Sequence, residues 1–184
     1  MKTSVRTHKL SGYSATLRTA TRLTEQAVKL VDRRVPGRMT DLEVVLTNER
    51  GMAELMASAD VLLAGTVDRS VLRRAERAAR TTARDAQACA IPRPDGSALV
   101  VVNVDRHPGE GEFAVTLVHE LTHVMQFSRK GVIERAVRNV RDRLRIERQS
   151  WRNAREHDRL LRQEEAEAYG CEHLADHLVP GACH

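Results

Sequence analysis

Apolar residues recur at helix or strand spacing along much of the chain. Residues 15–35 carry apolar side chains at roughly helical intervals and predict a first helix. Residues 42–46 form a short β-prone run. Residues 52–63 are again compatible with a helix, and Asp68 or Ser70 is placed to cap a further one. The first two-fifths of the chain therefore predict mainly helices.

The middle of the chain predicts a β-hairpin. Residues 85–91 form a weak strand pattern, and residues 92–96, Pro-Arg-Pro-Asp-Gly, are a strong turn signal. Residues 98–104, Ala-Leu-Val-Val-Val-Asn-Val, are the best strand candidate in the sequence. Residues 1–14 are mostly polar, and we expect a loosely packed or disordered start.

The pattern after the hairpin predicts further helices. Residues 112–128 place apolar side chains on one face of a helix, residues 129–159 form a basic helical segment, and residues 160–179 predict a last helix. Aromatic residues make up only 3% of the chain, so aliphatic side chains must fill the core. We expect one α+β domain over the 184 residues, dominated by helices, with a small sheet packed on the 112–128 helix.

The positive charge is concentrated in one segment. Residues 129–162 contain 12 Lys or Arg against 5 Asp or Glu, whereas the whole chain has a net charge of only +5. Such a segment is either a surface for nucleic acid or a solvated helix with internal ion pairs. Trp151 lies within it, and we expect this side chain to anchor the segment on the core.

The cysteine content favours a reducing compartment. Cys89, Cys171 and Cys183 are too few and too scattered for a disulfide framework. The N-terminal residues contain no continuous apolar run, so we expect no signal peptide, and no apolar stretch is long enough for a membrane span. These features predict a cytoplasmic protein that does not enter a membrane.

One motif carries chemistry. His119 and His123 lie four residues apart on the 112–128 helix, so both imidazoles are on one face and can reach one Zn²⁺. Glu120 follows the first histidine and can reach a water molecule on that ion. This is the arrangement of a general base beside a metal-activated nucleophile.

A catalytic site of this type needs a third protein ligand. The metzincin pattern requires a glycine and then a third histidine, but Gln126 and Arg129 occupy those positions, and arginine cannot bind zinc. The other common third ligand is a glutamate from a later helix, and residues 163–169 supply an acidic cluster there.

The motif and the acidic cluster together resemble a known family. Residues 119–126, His-Glu-Leu-Thr-His-Val-Met-Gln, and residues 165–169, Glu-Ala-Glu-Ala-Tyr, resemble the gluzincin metallopeptidases, particularly minimal single-domain members. The resemblance implies a zincin-like fold, a peptide or protein substrate, and hydrolysis of a peptide bond. It implies zinc ligands and base at the matching positions: His119, His123 and Glu165 as ligands, and Glu120 as the base.

The resemblance also assigns the strand 98–104 to the edge along which such enzymes align an extended substrate. In many members an Asp stands four residues after the ligand Glu, whereas this chain has Tyr169. Helical periodicity keeps Glu164 as a second candidate for the third ligand, and Glu172 as a third, since residues 172–176 also match the family's Glu-x-x-Ala-Asp pattern. Tyr169 is interpreted either as a hydrogen-bond donor to a developing oxyanion or as a packing residue.

Two further interpretations stay open. The chain could be a metal-containing regulatory or nucleic-acid-associated binding protein with little or no peptidase activity. The second open interpretation is another metal site near the C-terminus. It would be formed by Cys171, His173, His177, Cys183 and His184. Ordinary packing and surface roles are the simpler interpretation of these residues.

Overall fold

The computed structural model describes residues 1–66 and 68–183. Four strands lie within these residues: β1 (Thr3–Thr7), β2 (Leu42–Thr47), β3 (Ala88–Pro92) and β4 (Ala98–Asn103). The α-helices are α1 (Ser14–Arg34), α2 (Glu49–Ala64), α3 (Arg69–Ala83), α4 (Glu110–Phe127), α5 (Val132–Arg143) and α6 (Trp151–Cys171). A 3-10 helix, Glu172–His177, follows α6 directly. The described residues are 62% helical, which confirms the helix-dominated α+β prediction.

The four strands form one mixed sheet in the order β1-β2-β4-β3. β1 pairs with β2 and β2 with β4 in parallel, whereas β3 and β4 form the antiparallel hairpin expected from the turn at residues 92–96. β4 therefore lies inside the sheet, and the prediction that it forms the substrate-aligning edge was wrong. The edge beside it is β3, a weaker strand in sequence terms.

Helices cover both faces of the sheet, because alternate strand residues are apolar on either side. Val44, Val100 and Val102 pack with α1, α4 and the C-terminal 3-10 helix. Val45 and Val101 pack on the other face with α2, α3 and α5. The parallel strand β2 and its neighbour β4 are thus buried on both sides, which explains their nearly continuous apolar sequences.

The predicted cap of the third helix is confirmed: Asp68 caps α3 by accepting hydrogen bonds from the amides of Ser70 and Val71. At α2, a cap that was not predicted forms, since Asn48 accepts a hydrogen bond from the Gly51 amide, and Gly65 ends the helix in the left-handed conformation with φ of 71°. Within the described residues, no helix combines the length and the apolar composition that a membrane span requires.

Two further predictions were wrong, and the basic segment is divided between two helices. Residues 3–7 are not loosely ordered, because β1 pairs with β2 along its whole length. In the basic segment α5 ends at Arg143, Arg145 has a φ of 55°, and α6 begins at Trp151. Trp151 does not anchor the segment on the core, since it is the first residue of α6 and remains 69% exposed.

Candidate metal centre

Helix α4 positions the two motif histidines. Its opposite side packs on the sheet through a row of fully buried residues: Leu117, Val118, Leu121, Val124 and Met125. This packing turns His119 and His123 outward, and their side chains are 14% and 15% exposed. The two rings are therefore neither core residues nor free surface groups.

Helix α6 brings one carboxylate to both imidazoles. Oε2 of Glu165 lies 3.4 Å from Nε2 of His119, and Oε1 of Glu165 lies 3.4 Å from Nε2 of His123. The two Nε2 atoms are 3.2 Å apart. Two ligands of a tetrahedral zinc ion, each at about 2.0–2.1 Å, are separated by about 3.3–3.4 Å. The spacing of the three side chains fits such an ion, and within residues 1–66 and 68–183 they form the one group of this kind.

The other nitrogen of each ring has an oxygen acceptor. Nδ1 of His119 lies 2.9 Å from Oε1 of Glu172, and Nδ1 of His123 lies 2.8 Å from Oε1 of Gln126. An ionised carboxylate and an amide oxygen only accept hydrogen bonds, so each neutral ring carries its hydrogen on Nδ1. Both Nε2 lone pairs are then directed toward the same region as the Glu165 carboxylate.

The orientation of the Gln126 amide is determined by its own partners. Its Nε2 donates to the Glu164 carbonyl oxygen and to Oε2 of Glu167, at 3.0 Å each. Glu167 is held in turn by Arg129, whose two terminal nitrogens each lie 2.6 Å from a carboxylate oxygen. Because both partners of the amide NH₂ are acceptors, Oε1 faces His123. The two positions that departed from the metzincin pattern, Gln126 and Arg129, thus support the second histidine.

Glu120 lies deep in the same region and is only 8% exposed. Burial raises the pKa of Glu120 to about 7, and the negative charge of Glu165 acts in the same direction. The charge of His123 and a backbone hydrogen bond from Ala90 of strand β3 oppose that rise. A carboxyl group that titrates near neutral pH can both accept and release a proton there.

The two alternative third ligands lie elsewhere. Glu164 forms an ion pair with Arg135 of α5, and its carboxylate is directed away from the imidazoles. Glu172 contacts Nδ1 of His119 rather than Nε2. It therefore gives His119 a carboxylate partner on the ring nitrogen that faces away from Glu165.

Tyr169 is close to the centre but largely exposed. Its ring centroid lies 4.8 Å from that of His119 in an edge-to-face arrangement, and 64% of the residue is accessible. The Tyr169 ring thus packs against the His119 imidazole, and a role for the Tyr169 hydroxyl group stays a prediction.

The alternative of a second metal site near the C-terminus finds no ligand group in the part of the chain that the structure describes. Cys183 donates from Sγ to the Glu172 carbonyl oxygen at 3.3 Å, and Nδ1 of His173 lies 2.8 Å from the Gly170 carbonyl oxygen. These side chains and those of Cys171 and His177 do not converge into a ligand group, while His184 lies outside the described residues.

A cleft of about 550 Å³ opens beside the histidines. Strand β3 and helix α4 form one side of it, and residues of α2, α5 and α6 form the other. His119, Glu120, His123 and Glu165 all line this cleft. The candidate centre is therefore accessible to a molecule that binds along the edge of the sheet.

Comparison of the chain with protein-family models, with curated proteins and with solved structures finds no match.

Proposed function

We propose that this chain is a zinc-dependent peptidase of the gluzincin type, with His119, His123 and Glu165 as the metal ligands. The observation that carries the proposal is the pair of hydrogen bonds at Nδ1, which leaves two Nε2 lone pairs only 3.2 Å apart beside a carboxylate. Two lone pairs at this distance repel each other, and a cation between them and Glu165 turns the repulsion into attraction.

The number of ligands supports catalysis rather than a structural role. Two neutral imidazoles and one carboxylate leave a fourth tetrahedral position free and give a zinc site a net charge near +1. A zinc ion bound there would lower the pKa of a coordinated water and polarise a substrate carbonyl group.

Glu120 is suited to the proton transfers of amide hydrolysis. Its carboxyl group is buried beside His123 and Glu165, in the cleft that the substrate would enter. In this proposal Glu120 accepts a proton from the attacking water and delivers it to the leaving amine, which becomes a free amino group.

The free edge of strand β3 supports an extended substrate. The Gln87 carbonyl oxygen accepts a hydrogen bond from the Asn103 amide, and the Arg93 amide donates to the Ser97 carbonyl oxygen. Odd-numbered residues of β3 therefore direct their backbone N–H and C=O groups toward β4. Ala88 and Ala90 then direct theirs toward the cleft, where the Ala90 amide bonds Glu120. An extended peptide can add to such an edge through main-chain hydrogen bonds.

Replacement of the base tests the proposal. The zinc-loaded Glu120→Gln variant should retain its metal and lose peptide hydrolysis by a factor of about 10² or more, measured with a mixture of unstructured peptides by mass spectrometry. Glu134→Gln, an exposed carboxylate of α5, is the matched control and should retain full activity. Equal turnover by both variants, or no zinc-dependent cleavage by the unmodified chain, would contradict the peptidase proposal.

A second candidate function is supported by the exposed side of α6. Arg152, Arg155, Arg159 and Arg162 follow one another at intervals of three and four residues, and all are exposed. They therefore form a basic stripe along one face of the helix. Arg155 lies 4.7 Å above the ring of the exposed Trp151 at the start of the stripe. Cations beside an aromatic ring suit a single-stranded nucleic acid, which offers phosphates and stackable bases.

Binding of an oligonucleotide tests this second function. A labelled single strand should bind with an affinity that falls steeply with salt, with a log–log slope of about −3 if four phosphates are neutralised. Replacing Arg155 and Arg159 with Gln should reduce both affinity and slope, whereas Arg33→Gln on α1 should not. Absence of binding at low salt would remove the nucleic-acid function.

A further inference from the structure

The side of the cleft that faces away from α4 carries a group of charged and polar side chains among apolar ones. Asp60 of α2, His157 of α6 and three residues of α5 line it together with the candidate metal centre. The α5 residues, Arg135, Asn139 and Arg143, are spaced by four, so they lie along a single helical face. This wall is built from side chains that the proposed hydrolysis does not use.

The charged groups of this wall are unequally exposed. Nη2 of Arg143 lies 2.7 Å from Oδ1 of Asp60, but the arginine side chain is 42% exposed and the aspartate side chain only 12%. The second pair, Arg135 with Glu164, is buried on both sides, at 12% and 16%. The guanidinium of Arg143 is therefore the charge that a molecule in the cleft meets, while the carboxylate of its partner is covered.

Two buried nitrogen atoms of the wall lack partners. Among the described residues, neither Nε of Arg135 nor Nδ1 of His157 has a hydrogen-bond partner, although both atoms are inaccessible to solvent. Nε of an arginine always carries a hydrogen, and a neutral imidazole can present one at Nδ1. Buried donors of this kind are normally satisfied, so the wall behind Arg143 retains hydrogen-bonding capacity that the described residues do not use.

The wall lies within reach of the reacting groups along β3. Cys89 of β3 lines the same cleft as the proposed base Glu120 and as the Asp60–Arg143 pair. A peptide added to the edge of β3 directs alternate side chains to opposite faces of the sheet. One set faces α4, and the other set faces the wall on α5.

We propose that this wall is a subsite for a carboxylate side chain of the substrate, with Arg143 as the residue that pairs with it. The inference rests on the proposed peptidase function, and it specifies the substrate class as peptides with Asp or Glu near the cleaved bond. Arg143 is the specificity-determining residue here, since its guanidinium is the exposed charge of the wall.

Cleavage of matched peptides measures the preference. Peptides that differ only by Asp, Asn or Lys at each position on either side of the cleaved bond are compared by kcat/KM with the zinc-loaded chain. At one position we expect kcat/KM for the Asp peptide to exceed that for the Asn peptide by about tenfold or more, because an ion pair with an arginine replaces a neutral contact. Preference for Lys at that position would make Asp60 the determinant and overturn the proposal.

Variants of Arg143 assign the preference to this residue. Arg143→Gln should bring the Asp-to-Asn ratio near one, and Arg143→Lys should retain part of it. Arg138→Gln, the same change at an exposed position of α5, should leave the ratio unchanged. If Arg143→Gln does not fold because Asp60 loses its partner, the double variant Asp60→Asn/Arg143→Gln removes both charges and should show the same loss. An Asp-to-Asn ratio that stays unchanged in the folded variants would contradict the assignment of the preference to Arg143.

A measurement without turnover separates this inference from the peptidase proposal. Pairs of peptide hydroxamates that differ only by Glu or Gln, at either the first or the second residue of the peptide, are compared by their affinity for the zinc-loaded chain. Tighter binding of a Glu member, lost in Arg143→Gln, supports the subsite even if no peptide is hydrolysed. Equal affinities of all pairs overturn the subsite, even if peptides are cleaved.

Discussion

Oε1 of Glu172 lies 2.9 Å from Nδ1 of His119, on the side of the ring opposite the candidate metal position. Such a carboxylate fixes the tautomer of a ligand histidine and makes its other nitrogen a stronger donor to a metal. The contact joins the C-terminal 3-10 helix to α4 across 53 residues of sequence. The C-terminal region therefore contributes directly to the candidate centre.

Removing the charge of Glu172 should weaken metal binding without abolishing it. For Glu172→Gln we expect a zinc affinity lower by a factor of about 10 to 100, because the amide is a weaker acceptor than the carboxylate. Competition with a fluorescent zinc chelator measures the change. Glu134→Gln should bind zinc as tightly as the unmodified chain, and an unchanged affinity in Glu172→Gln would show that the contact does not support the ligand.

Stability at low pH should depend on Glu43 at the centre of the sheet. Burial alone would raise its pKa, but hydrogen bonds and charges from Arg6 and Arg93 outweigh that effect, and its pKa lies below the ordinary value of 4.5. Because the folded-state pKa is lowered, ionised Glu43 stabilises the fold above the unfolded pKa. That contribution disappears as the pH falls through the folded pKa.

The variant Glu43→Gln tests this dependence. At pH 7 we expect it to reduce the free energy of unfolding by about 1 kcal/mol, since the side chain is partly buried and pairs with two arginines. The difference from the unmodified chain should shrink below pH 4.5 and vanish once Glu43 is protonated in both states. Urea unfolding between pH 3 and pH 7 measures it, and a constant difference over that range would contradict the explanation.

Gly37 holds the loop after α1 against the back of the motif helix. Its φ is +149°, and a Cβ atom built there would lie 2.5 Å from the Met125 carbonyl oxygen. We expect Gly37→Ala to destabilise the fold by about 2 kcal/mol or more, because the backbone conformation and the contact both disfavour a side chain. Gly170 of α6 has open space around it, so Gly170→Ala should be neutral or stabilising by up to about 1 kcal/mol. Thermal unfolding of both variants measures this contrast.

The sequence predicted the elements whose signal is local. Strand β4 contains three consecutive valines, α3 begins with the predicted cap Asp68, and His119 and His123 are positioned by helical spacing alone. These features follow from side chains within about one helical turn or one strand. Their prediction needed no knowledge of the tertiary fold.

The missed features depend on contacts between distant residues. β1 reads Thr-Ser-Val-Arg-Thr, and it becomes a strand because β2 offers it a pairing edge. The position of β3 at the sheet edge is determined by strand order, which the hairpin sequence does not encode.

The support of His123 through Gln126 and Glu167 spans 41 residues between two helices. Gln126 and Arg129 served only to exclude another ligand pattern in the sequence. The available signal was a glutamine three residues after a candidate ligand histidine, followed by an arginine three residues further along.

The metal position itself offers the most direct test. Crystals of the zinc-loaded chain, measured at the zinc absorption edge, should show one anomalous peak about 2.0–2.1 Å from Nε2 of His119, Nε2 of His123 and a Glu165 oxygen, with no fourth protein ligand. A peak at another group of residues, a fourth protein ligand that closes the site, or no bound zinc at all would contradict the account.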